Sequence, residues 1–218
     1  ARLLTDGESN WFPPTELADG AGATASSSPP TEAPRAEAET SEASAVASAI
    51  PGAPDTKLDR GRFLAHTANH EYAQAYALIE RSPDVVGNTA NDLLLAADAA
   101  RFSGHPAEAT KFLERIAREH AHDSVAPLAA FTLGRIYLSQ LGQPAKAASS
   151  FALARKLAPS GPLVEDALAR EVEASSAAGE RERAQGLARE YERRFPNGRR
   201  LDSVRQAAGL VGDSSANH

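Results

Sequence analysis

The spacing of three glycines constrains this chain more than any other feature. Gly104 and Gly142 lie 38 residues apart and Gly142 and Gly179 lie 37 apart, and each is followed five residues on by an alanine: Ala109, Ala147 and Ala184. A recurring turn residue with a small residue at constant offset marks a stack of similar units rather than one irregular core. The clearest copy is FTLGRIYLSQLGQPAKAASSFALARKLAPSG, residues 131–161. It reads as two antiparallel helices turned at Gly142 and closed by Pro159 and Gly161. Gly134, Ala147 and Ala154 let the helices approach, while Leu133, Tyr137, Phe151 and Leu157 fill the space between them.

The same period predicts three more hairpins. Residues 57–68 carry Leu58, Phe63, Leu64 and Ala65 on a helical pattern, and residues 72–81 carry Tyr72, Ala75, Tyr76, Leu78 and Ile79, with Asn69-His70 as the turn and Pro83 as the stop. Residues 91–102 (Leu93, Leu94, Ala97, Ala100) and 106–120 (Ala109, Phe112, Leu113, Ile116) flank Gly104, and Pro106 sits early in its helix, where a missing N–H costs nothing. Residues 162–178 and 180–195 flank Gly179, and residues 201–210 form a last helix that caps the stack with Leu201, Val204, Ala207 and Leu210. Asn69 is 35 residues before Gly104 but is not glycine, so the first hairpin departs from the pattern. The expected fold is all-α: an α-solenoid of about four antiparallel hairpins plus a C-terminal capping helix, over residues 55–212.

Leu133, Gly134, Tyr137, Gly142, Ala147, Phe151, Ala154 and Pro159 resemble the tetratricopeptide repeat, with one extra residue before Gly142. The period is longer than the repeat's usual length of about 34 residues, which points to extended helices or loops. In AREYERRFPNGRRLDSVR, the residues Tyr191, Phe195, Pro196, Asn197, Gly198 and Val204 are similar to a helix–Tyr/Phe-Pro-x-Gly–helix junction of Tol-Pal and outer-membrane-assembly repeat proteins. That resemblance covers residues 91–210 and implies a periplasmic setting, with a cytoplasmic one as the alternative.

Ahead of the repeats the composition changes. Residues 16–54 are built from Ala, Ser, Thr, Glu, Pro and Gly with almost no large apolar side chain, so they cannot offset their conformational entropy and are expected to form a disordered linker. Residues 1–15 end an apolar run with Gly7-Glu8-Ser9, Trp11 and Pro13. This order is similar to the end of a FecR-type periplasmic domain, although Asn10 interrupts it. The resemblance implies the C-terminal part of an upstream regulator domain. The chain opens on Ala1 and contains no methionine, so we expect a piece of a longer polypeptide, with any membrane anchor upstream. Residues 213–218 are expected to be a disordered tail.

Charge narrows the partners. The formal net charge is −6, and all of it lies in residues 1–54, which hold eight acids and two bases; residues 55–218 hold 21 of each. A neutral helical region has no electrostatic footprint for phosphate backbones, so nucleic acid is not expected. No run is long and apolar enough to enter a membrane. Cysteine is absent, which removes thiol chemistry but assigns no compartment.

Catalytic constellations are not evident, and neither an enzyme nor a cofactor is expected. His66 and His70, four apart with Glu71 adjacent, form the best metal candidate. His70 falls at a turn and no third ligand is indicated, so no metal is expected. Glu165, Asp166, Glu171 and Glu173 read as a solvated helix face, with Asp166 and Arg170 placed to pair. Arg193, Arg194, Arg199 and Arg200 read as helix-end compensation beside Glu190 and Glu192. His120 and His122 end the second hairpin in the same sense.

The tetratricopeptide resemblance implies a protein-binding scaffold whose first helices line a concave groove for a peptide or partner protein. In that register Asn91, Asp98, Arg101, Arg135, Leu138, Asp166 and Glu173 face the groove. A homo-dimer, or a structural oligomerisation module, is the alternative use of exposed terminal helices.

Overall fold

The computed structural model describes residues 56–210; the expected upstream-domain end, linker and tail lie outside this span. Among the described residues there are nine α-helices and one short 3-10 turn, Pro83–Val85, and no strand. The helices are α1 (Thr56–Ala68), α2 (Tyr72–Arg81), α3 (Ala90–Phe102), α4 (Pro106–Glu119), α5 (Ala126–Ser139), α6 (Pro144–Leu157), α7 (Val164–Ala177), α8 (Arg181–Arg194) and α9 (Leu201–Ala207). Each packs on the helix before it and the helix after it, giving the α-solenoid of four hairpins with α9 at the end.

The hairpin turns share one backbone device. Gly104, Gly142 and Gly179 all adopt positive φ, and in the first hairpin the same place is held by His70 at φ 60°. Of the expected turn pair Asn69-His70, the second residue and not the one used for the spacing is left-handed. Imidazole side chains tolerate this region better than branched ones, so a histidine can stand where glycine is usual. His70 is also followed five residues on by a fully buried alanine, Ala75, so the first hairpin keeps the repeat after all.

The turns at His70, Gly104 and Gly179 close with a main-chain bond across six residues, such as Glu71 N–H to the His66 carbonyl and Glu180 N–H to the Ser175 carbonyl. At Gly142 the corresponding bond runs from Gln143 N–H to the Tyr137 carbonyl, which spans seven. The extra residue read from the sequence is accommodated there. The second helices then begin two residues past the turn, with Pro106 and Pro144 at the first helical position.

The long period comes from the links, not from the helices. Residues 120–125, 158–163 and 195–200 are six-residue connections, whereas the helices of the middle repeats are 13 or 14 residues long. α5 also starts five residues earlier than the motif suggested, at Ala126 with Pro127 in its first turn. Counting from helix starts, Leu201 follows Val164 by 37 residues and Val164 follows Ala126 by 38. α9 is therefore the first helix of a fifth unit, stopped after seven residues before Gly209, whose φ is 67°.

Packing follows from small residues. A Cβ on Gly134 would lie 2.7 Å from the ring of Phe151, so only glycine lets α5 and α6 meet with that phenyl between them. One apolar core runs through α1 to α6, around Phe63, Leu93, Leu113, Ile116 and Phe151; a second joins α7, α8 and α9 around Leu168, Val172, Tyr191 and Val204. Between them Ala130, Ala154 and Ala167 form a narrow alanine contact. The first helix differs from expectation: Phe63 is buried, but Leu58, Leu64 and Ala65 are exposed, and the core-facing places beside Phe63 go to Asp59 and Thr67. Asp59 tolerates burial because Arg81 and Arg62 donate to its carboxylate at 2.7 and 3.4 Å.

Candidate partner-binding face

Counting back from each turn residue puts equivalent side chains of the first helices at common levels. Allowing for the extra residue before Gly142, Leu64, Asp98, Arg135 and Glu173 stand six residues before the turn. Asn91, Leu128 and Asp166 stand two helical turns earlier, and Arg101 and Leu138 one turn later. None of these residues is buried, while most of the side chains between them enter the core. α5 shows it best: Leu128, Phe131, Arg135 and Leu138, spaced three and four apart, form an accessible stripe on a helix whose other residues from Ala129 to Tyr137 are buried.

Ion pairs order most of this face. Asp98 accepts from Arg101 Nε at 2.8 Å, and the Arg101 guanidinium lies 3.8 Å over the ring of exposed Phe102, which stacks on Tyr72 at 4.7 Å. Arg200 reaches from the link before α9 to Asp166 at 3.0 Å and Glu173 at 3.1 Å. Arg170 pairs with Glu173 at 2.8 Å rather than with Asp166, because three residues of separation and the reach of Arg200 leave Asp166 to the neighbouring unit. Arg135 has no ion pair among the described residues.

The acidic run on α7 is not a uniformly solvated face. Glu171 is 2% exposed and is gripped by Arg155 of α6 at 2.9 Å and Arg183 of α8 at 3.1 Å, while Arg155 also reaches Glu190 at 2.7 Å. Burial pushes the Glu171 carboxyl above its usual range, and the two guanidinium groups oppose that rise. This cluster clamps the third hairpin to the fourth beside the alanine contact. The repeat register carried the signal: Glu171 aligns with Leu133 and Ala96, both core positions. Glu165, next to Asp166, accepts from the Tyr191 hydroxyl at 2.7 Å.

On the second-helix side, Glu114, Leu133, Tyr137, Lys146, Ser149 and Ser150 line an open cleft of about 380 Å³. Tyr137 donates to Glu114, and Lys146 stands 5.2 Å from the Tyr137 ring centre. Burial, then the Glu114 carboxylate, pushes the Tyr137 phenol up to about 12; burial and Glu165 do the same to Tyr191. His66 Nδ1 lies 2.5 Å from Glu71 and His70 Nδ1 lies 2.8 Å from the Tyr72 hydroxyl, so the two histidines address different partners. Among the described residues, no group of three or more His, Asp or Glu side chains is placed to hold a metal.

The model of the family described as Chemotaxis protein MotC matches residues 74–199, more than half of the chain. This chain belongs to the MotC family. The matched span begins in α2 and ends in the link before α9, so what relates the chain to that family is the repeat array itself. The residues on which the FecR-type resemblance rested lie outside the match, and the Tol-Pal-like junction lies at its end.

No curated protein matches the sequence. Among solved structures, a Podosopora anserina putative kinesin light chain with nearly identical TPR-like repeats is similar at 16% identity, covering 71% of this chain and 87% of that one, with a TM-score of 0.51. MamA protein is similar at 15% identity, covering 71% and 83%, with a TM-score of 0.53. These likenesses show a tetratricopeptide-like fold. Among the described residues no helix is long and apolar enough to cross a membrane.

Proposed function

We propose that this member of the MotC family is a non-catalytic protein-binding scaffold of the chemotaxis machinery, working in the periplasm and holding a peptide or partner protein along the face of its first helices. One observation carries the reading: the family match lies within the repeats, so the common element is a stack whose first helices carry accessible side chains at matching levels. Stacked hairpins use such extended surfaces for recognition. The periplasmic part of the proposal draws on the residues that resemble the envelope repeat proteins, Tyr191 to Gly198. The upstream FecR-like domain suggested by Gly7 to Pro13 is a separable part of it.

Deleting the gene in the organism of origin tests the proposal. Spreading in soft agar is expected to fall and to be restored by the wild-type chain, which osmotic shock should release with other periplasmic proteins. The double variant Leu128→Asp/Arg135→Glu, shown to fold by circular dichroism, is expected not to restore it. Normal spreading after deletion, or full rescue by the double variant, contradicts the assignment.

A further inference from the structure

The accessible stripe on α5 has a specific composition. Leu128 is 43% exposed, Phe131 and Leu138 are partly covered, and Arg135 stands exposed between them at the spacing of one helical seam. The equivalent residues of the neighbouring units, Asp98 and Glu173, are each satisfied by an arginine of this chain. Arg135 has no such partner among the described residues, although its guanidinium is permanently charged and offers a planar fork suited to a carboxylate. An apolar seam that keeps one unpaired cation in its middle is complementary to an apolar seam that carries one anion.

We propose that the occupant of this face is a partner α-helix that lies along α5 and presents an aspartate or glutamate, flanked by apolar side chains, to Arg135. The inference rests on the scaffold reading and gives its ligand a chemistry. The three-four-three seam along α5 is the pattern against which a second amphipathic helix packs, its side chains seated between those of the seam. Leu128 and Leu138 then supply burial, and Arg135 supplies register and sign. A charge at such a place selects partners by penalising the wrong one more than by adding raw affinity.

The test uses the full chain and two synthetic amphipathic helices of about 20 residues, long enough to hold helix in isolation. Both present leucines at the seam; one carries glutamate at its centre and the other lysine. Fluorescence anisotropy is expected to show the glutamate peptide binding about tenfold more tightly than the lysine peptide, and Arg135→Glu is expected to reverse that order. Arg135→Ala is expected to abolish the preference while leaving residual binding through Leu128 and Leu138. Equal binding of the two peptides, a preference that survives Arg135→Glu, or no binding of either peptide at about 1 mM overturns the inference. Such a result alongside a positive soft-agar experiment would discard the helical acidic ligand and leave the scaffold standing.

Discussion

Tyr137 and Tyr191 are the residues whose chemistry depends most on the fold. Each phenol is buried, each donates to a carboxylate on a neighbouring helix, and each has a pKa of about 12 in place of 10. The folded state thus favours the neutral phenol. The stability this contributes is fully present below pH 10 and is lost as pH rises through 12. Thermal unfolding followed across that window should show a steep drop in melting temperature, accompanied by late phenolate absorbance. Tyr137→Phe should remove part of the late absorbance, and a chain whose tyrosines all ionise near pH 10 would contradict the buried geometry. Tyr137 was legible in sequence as a repeat position. Glu171 was legible only through the repeat register, because read helix by helix it is a carboxylate on a charged stretch, and its burial depends on Arg155 and Arg183 arriving from two other helices. Asp59 was missed for the same reason, its counter-charges lying on both helices of its hairpin.

For the helical elements, the decisive residues are those without side chains. Gly134 is needed where α5 meets Phe151, whereas a Cβ on Gly186 in the middle of α8 would meet nothing within 4 Å. The two substitutions should therefore have opposite signs. Gly134→Ala is expected to cost about 2 kcal/mol by overpacking and to lower the melting temperature by roughly 5 °C, and Gly186→Ala is expected to stabilise by about 0.5–1 kcal/mol through helix propensity. Equal effects in thermal melts would contradict the close approach. The helices themselves were readable from their period and from Pro106 and the turn glycines. Their limits were less so: α5 begins at Ala126 because Asp123 and its neighbours form a turn that feeds the helix, with Ala126 N–H bonded to the Asp123 carbonyl. The exposure of Leu58 and Leu64 of α1 also escaped the reading, since among the described helices α1 packs chiefly on α2 and the Pro83–Val85 turn.

For the described repeats taken together, turn spacing identified the architecture, and helix starts show that it runs to four units and the opening half of a fifth. The candidate face was readable only as far as the register was. It located Asn91, Asp98, Arg101, Arg135, Leu138, Asp166 and Glu173 on the first helices, but not which charges were already satisfied, because Arg200 comes from a link outside every hairpin. Partners are expected to meet the first-helix face and not the second. Photo-crosslinking in living cells tests it most directly, with a photoreactive residue placed at Asp98 or Arg135 on one face and at exposed Lys156 or Arg189 on the other. We expect a discrete adduct from the first pair and none from the second. Adducts from Lys156 and Arg189 alone would contradict the claim.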